Sequence, residues 1–124
     1  MTVSHLKLAA FWIPLAWTTY MAFTPATGPS MFELSDKLLH CLAFGYLMIA
    51  LWLAHGPRLG LAVAIAWLAG YGFAIEAIQA VLPYRDFSVL DLLADAVGLV
   101  AATTVIVQGP GIWAAATKTL RPAR

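Results

Sequence analysis

Charge is what this sequence has least of. Its 124 residues carry 7 Lys+Arg and 6 Asp+Glu, 10% of the chain, against 62% hydrophobic residues. Water-facing shells usually need about 25–35% charged residues, so an ordinary soluble domain is excluded. A disordered chain is excluded because disorder goes with low hydrophobicity, and a nucleic-acid binder because phosphate backbones are held by many basic side chains. Cysteine is nearly absent too: Cys41 alone allows neither an internal disulfide nor a multi-cysteine metal site. A membrane-spanning helix takes about 20 apolar residues, so this length leaves room for about four or five spans and no separate soluble domain. What remains is a small polytopic membrane protein.

Four apolar stretches are present: about Leu6 to Thr24, Leu38 to His55, Leu59 to Leu82 and Val89 to Val107. Each is near bilayer length, and in lipid the backbone must satisfy its own hydrogen bonds, which makes such segments helical. Turn chemistry separates them at Pro25–Thr27–Gly28–Pro29, at Gly56–Pro57 and at Pro83, and follows the last at Gly109–Pro110–Gly111. The expectation is an all-α bundle of four transmembrane helices with short loops in residues 1–110, followed by a basic interfacial tail in 111–124. In that tail Ile112, Trp113 and Leu120 stand beside Lys118, Arg121 and Arg124.

Helix starts show at Ser30–Met31–Phe32–Glu33 and Ser88–Val89–Leu90–Asp91, both of the S-x-x-D/E capping-box form. The first stretch has a single lysine, Lys7, before an apolar run long enough to span, which favours a retained signal-anchor helix over a cleaved signal peptide. Pro14 within it predicts a kink. With four spans, Lys7, Arg58, Lys118, Arg121 and Arg124 share one side while Lys37 and Arg85 lie on the other, which puts both termini in the cytoplasm. The five tryptophans and four tyrosines suit membrane interfaces, with Trp12, Trp52 and Trp113 towards the cytoplasmic side.

Polar residues nonetheless interrupt three of the apolar stretches. Asp36, Lys37 and His40 begin the second, Glu76 and Gln79 end the third, and Asp91 and Asp95 begin the fourth. Intramembrane charges usually face the bundle interior and pair there. Glu76 lies before Leu82 by about 9 Å of helix rise, and Asp95 lies after Ser88 by about 10 Å. The pairs Asp36/His40, Asp91/Asp95 and Glu76/Gln79 each fall on one helix face. Three faces converging at one depth predict one polar pocket on the outer side, with Arg85 in the loop above it.

Each of these residues also has a plainer role. His40 can be a structural histidine bonded to Glu76, Asp91 or Asp95. Asp91 is explained by its capping box, and Asp36 and Lys37 by a solvated helix entrance. Arg85 can pair with Asp86 or Asp91. Close helix packing is expected along Ala62, Ala66, Gly70 and Ala74 and along Ala94, Gly98 and Ala102, both small-residue ridges. Without a spaced histidine pair, no metal or other cofactor is expected.

The polar pattern resembles the VanZ-like family of bacterial membrane proteins. The residues that carry the resemblance are Asp36-Lys37-Leu38-Leu39-His40 with Phe44, then Glu76 and Gln79, then Arg85-Asp86-Phe87-Ser88 with Asp91, Asp95 and Gly98. The family commonly has asparagine where this chain has Asp95. Its namesake is linked to low-level resistance to the glycopeptide antibiotic teicoplanin. The resemblance implies a multi-pass protein of the bacterial inner membrane. The function expected is a non-enzymatic pocket that binds the headgroup of a lipid, a cell-wall precursor or a glycopeptide, with membrane lipids as partners. Two other readings stand beside it. The chain can be an accessory subunit of a larger membrane complex whose polar cluster only holds helices together. It can also be an enzyme using His40 with Glu76 or Asp95 as acid and base, although no nucleophile motif accompanies them.

Overall fold

The computed structural model describes residues 3–25 and 33–119, and every regular element among them is helical. The helices are α1 (Val3–Phe23), α2 (Glu33–Leu59), α3 (Leu61–Gln79) and α4 (Val89–Thr119). Ser30 and Met31, where the first capping box begins, lie outside the described residues.

Three of the four helices are long and apolar enough to cross a membrane: α2, α3 and α4. The sequence led us to expect four. The shortfall is α1, whose 21 residues include His5 and Lys7 besides Trp12, Pro14, Trp17, Thr18, Thr19 and Tyr20. These side chains lower its hydropathy without shortening it.

Two helix ends differ from the expected ones. The break foreseen at Gly56–Pro57 falls at Gly60, which alone separates α2 from α3 with φ 80°. Only glycine takes that backbone conformation without steric penalty. The break foreseen at Gly109–Pro110–Gly111 is not a helix end: α4 passes through Pro110 to Thr119. Proline removes one N–H from the ladder, and in a helix of 31 residues that interrupts a single bond.

Succession along the chain makes neighbours antiparallel, so α2 and α4 run parallel, as do α1 and α3. α2 and α3 each meet all three other helices, with α2 making the most extensive contacts, while α1 and α4 share no contact among the described residues. The core is Phe11 and Leu15 from α1, Phe44, Leu47, Met48 and Leu51 from α2, Ala64 and Leu68 from α3, and Leu99 and Ala102 from α4.

The parallel α2–α4 pair is set by glycine. A Cβ on Gly98 would strike the carbonyl oxygen of Cys41 and come within 2.9 Å of the Gly45 amide nitrogen. The two backbones therefore touch, as small-residue ridges allow in membranes. The ridge expected on α4 faces inward, with Gly98 and Ala102 buried and Ala94 half-buried. The ridge expected on α3 does not: Ala62, Ala66, Gly70 and Ala74 are all exposed. The inward face of α3 is Ala64, Leu68, Gly72, Ile75, Glu76 and Gln79. Stepping back in fours from the polar Glu76 reaches Gly72, Leu68 and Ala64, a signal that alanine spacing alone obscured.

α1 is attached by another chemistry. Pro14 has no N–H to give the Ala10 carbonyl one turn earlier, and the Tyr46 hydroxyl of α2 donates to that oxygen at 2.8 Å. The last carbonyls of any helix lack intrahelical donors. At the end of α1, Gln79 Nε2 donates to Ala22 O at 2.8 Å and Tyr84 Oη to Phe23 O at 3.0 Å. Arg85 Nη2 reaches Thr24 O at 2.8 Å and Met21 O at 3.3 Å.

Candidate functional site

The polar residues of α2, α3 and α4 meet at one end of the bundle. Lys37 Nζ donates to Asp91 Oδ1 at 2.9 Å, and His40 Nδ1 lies 3.0 Å from Asp95 Oδ1. Glu76, Asp91 and Asp95 are all buried. Of the partners open to His40, the structure selects Asp95. Parallel packing of α2 on α4 explains both contacts, because stepping from 37 to 40 on one helix matches stepping from 91 to 95 on the other.

Asp91 was expected to complete a reciprocal capping box with Ser88, and only half of that box forms. The Asp91 amide donates to Ser88 Oγ at 3.2 Å. The Ser88 amide donates instead to Glu76 Oε2 of α3, at 2.7 Å. A buried carboxylate from another helix thus caps α4 at its positive dipole end, and Asp91 is left to hold Lys37. Glu76 therefore has a capping role, one that no local spacing reveals. Its second oxygen, Oε1, is buried and has no hydrogen-bond partner.

Gln79 and Arg85 turn the other way, towards the end of α1. Arg85 pairs with neither Asp86 nor Asp91 among the described contacts; its Nη2 caps α1, and its Nε is buried without a partner. Asp36 completes the arrangement. One ligand atom each from Asp36, His40 and Asp91 lie within 4.8 Å of one another, a spacing that could hold a metal ion. The ammonium of Lys37 already serves Asp91 there, so this cluster carries a cation of its own.

Beside these contacts lies a cavity of about 340 Å³ that touches all four helices. Asp36, His40, Gln79, Arg85 and Asp95 form its polar end, and Trp17, Met21, Leu39, Ala43, Phe44 and Ile75 its apolar walls. The rim between α1 and α2 is exposed at Trp17, Met21 and Leu39. Gly72 makes room behind it, since a Cβ there would come within 2.9 Å of Asp95 Oδ2 and 3.1 Å of the Phe44 ring.

The sequence placed the polar residues at this end but left α1 out of the pocket. Trp17, Thr18, Met21 and Ala22 supply one of its walls. Their only signal is that α1 turns aromatic and hydroxylated at this end, which reads equally well as a membrane-interface belt.

A family model described as VanZ/LLP1 matches residues 3–112. The chain belongs to the VanZ/LLP1 family. That match extends well beyond the stretch Asp36–Gly98 that carried the resemblance, and takes in α1, the helix without a charged motif. Neither a curated relative nor a solved structure matches the chain. The VanZ/LLP1 fold in this protein therefore joins a seam of ion pairs between α2 and α4 to an amphipathic cavity that α1 closes.

Proposed function

We propose that this protein is a non-enzymatic membrane binder of an amphipathic, headgroup-bearing molecule, a lipid or a lipid-linked cell-wall precursor. The cavity is the observation that carries this reading, because one end is polar and charged while the walls are apolar and open at an exposed rim of Trp17, Met21 and Leu39. Its volume stands at the lower end of ligand cavities, about 300–1,000 Å³, which suits one headgroup and the start of its chain. The Arg85 Nε buried without a partner is a donor that an acidic headgroup oxygen would satisfy, and buried donors left unmatched are costly.

In this reading the protein lies in the bacterial inner membrane, with both termini cytoplasmic, the polar end facing outward and α1 crossing as a fourth span. At 1.5 Å per residue, 21 residues extend about 31 Å, the thickness of the hydrocarbon core.

The test is lipid analysis of the protein extracted in mild detergent. A retained lipid is expected at about one per chain in the wild type, lost in Arg85→Gln and in Ala43→Phe, which fills an apolar wall. Retention unchanged in both variants overturns the reading. A stoichiometric protein partner in the same extract would instead favour the accessory-subunit role, in which the polar cluster only joins helices.

Acid–base catalysis draws support from one feature. His40 and its orienting carboxylate Asp95 both line the cavity, the arrangement a general base requires. Thr18 is the one hydroxyl among the lining residues, with no serine or cysteine beside it, so this reading ranks third, after the accessory subunit. Chemical change in the bound molecule, abolished by His40→Gln, would promote it.

A further inference from the structure

A second cavity, of about 280 Å³, lies at the opposite end of the bundle and is independent of the polar cluster. Phe11 and Trp12 of α1, Leu51, His55 and Arg58 of α2 and Trp67 of α3 line it. Phe11 is buried, with its ring centroid 5.0 Å from Trp12, 6.0 Å from Trp67 and 6.2 Å from His55. The site is thus an aromatic box around an imidazole.

Two features of this box call for an acidic partner. His55 Nε2 is buried and has no hydrogen-bond partner, although buried polar atoms are normally matched. Arg58 stands exposed in the last turn of α2. Among the described residues no aspartate or glutamate answers either group: Asp36, Glu76, Asp91 and Asp95 meet at the other end of the bundle.

The walls say what kind of molecule carries the acid. Trp12 and Trp67 are half exposed on the outer surface of the bundle, and Trp67 lies about 9 Å of helix rise from the start of α3. A tryptophan rooted there lies among the upper acyl chains and leans towards the headgroups, because helical side chains tilt towards the helix N-terminus. A small hydrated anion would give up its water for two donors and apolar walls. A membrane lipid reaches the same place with its chains already in hydrocarbon.

We infer that this cavity binds the phosphate of an anionic phospholipid, with His55 Nε2 and Arg58 as donors and Trp12 and Trp67 against the glycerol and upper chains. A headgroup carrying its own ammonium would bring that cation towards Arg58, so net negative lipids are preferred.

Native mass spectrometry of the full chain in detergent tests this, with phosphatidylglycerol and phosphatidylcholine of matched chains as probes. Wild type should retain phosphatidylglycerol about fivefold better, the worth of one basic side chain near a membrane surface. Arg58→Gln should abolish that preference, as should His55→Phe. Should His55→Phe fail to fold, the exposed Arg58 still decides the matter. Equal retention of the two lipids by wild type, or a preference that survives Arg58→Gln, overturns the proposal. So does displacement of the lipid by millimolar inorganic phosphate, which would mark a free-anion site.

Discussion

α1 and α4 both flank the central helix α2, yet they are held by different chemistry. α4 lies against α2 backbone to backbone at Gly98, with side-chain pairs Lys37–Asp91 and His40–Asp95 closing one end. α1 is held by side chains that reach its backbone: Tyr46, Gln79, Tyr84 and Arg85 donate to the carbonyls of Ala10, Ala22, Phe23 and Met21. Thr19 adds a side-chain pairing, its hydroxyl 2.8 Å from that of Tyr71, and Phe11 and Leu15 pack into the core. The first attachment tolerates almost no change of shape. The second is a set of separate bonds, each replaceable at modest cost. A helix that closes a ligand cavity needs the second kind.

The comparison breaks first at Gly98. Gly98→Ala should destabilise by about 3 kcal/mol, the upper part of the overpacking range, because backbone on both sides stands in the way. Gly45→Ala should cost far less, as its Cβ would sit 3.4 Å from the nearest atom of α4, Gly98 O. Thermal unfolding in detergent, followed by size-exclusion, separates the two. Equal losses would mean that the seam is looser than the structure has it.

Next comes the ion pair. Lys37→Met strands Asp91 and should cost about 1–3 kcal/mol, short of the 3–5 kcal/mol for fully buried pairs, because the Lys37 side chain is 28% exposed. Adding Asp91→Leu should recover most of that loss, and a double-mutant cycle measures the coupling. A double variant no better than Lys37→Met would show that Asp91 is needed for something besides Lys37.

Glu76 sharpens the same seam from a third helix. Glu76→Ala leaves the half-buried Ser88 amide without its acceptor and should cost about 1–2 kcal/mol. Glu76→Gln keeps a carbonyl oxygen for that amide and should cost less than half as much. Hydrogen exchange at the start of α4 reports the difference, and an Ala variant with a protected first turn would contradict the capping role.

The smallest effect belongs to α1. Tyr46→Phe removes the donor to Ala10 O and should cost about 1 kcal/mol, with faster hydrogen exchange confined to α1. Exchange spreading to α4 would mean that the two attachments are not separate.

How much of this was legible beforehand follows from the same division. Charged residues in apolar helices announce themselves, and the convergence of Asp36, Lys37, His40, Glu76, Asp91 and Asp95 was foreseen from helix periodicity and depth. Carbonyl oxygens carry no sequence signature, so the capping of α1 by Gln79 and Arg85 was not. The capping box at Ser88 misled for a related reason. Ser88 and Asp91 satisfy the local rule, but Glu76 reaches the same amide from another helix, and burial favours a full carboxylate bond there. Prolines misled as helix ends, since α2 runs past Gly56–Pro57 and α4 past Pro110.

Composition and periodicity by themselves determined that this chain is helical, apolar and polar at one end, because lipid leaves the backbone no alternative to helix and leaves buried charge no alternative to pairing. Which charge pairs with which, and which face of α3 turns inward, depended on helix register. So did the cavity between α1 and the α2–α4 seam. Register is decided by backbone contact at Gly98 and by bonds to main-chain atoms, and main-chain atoms are the same in every sequence.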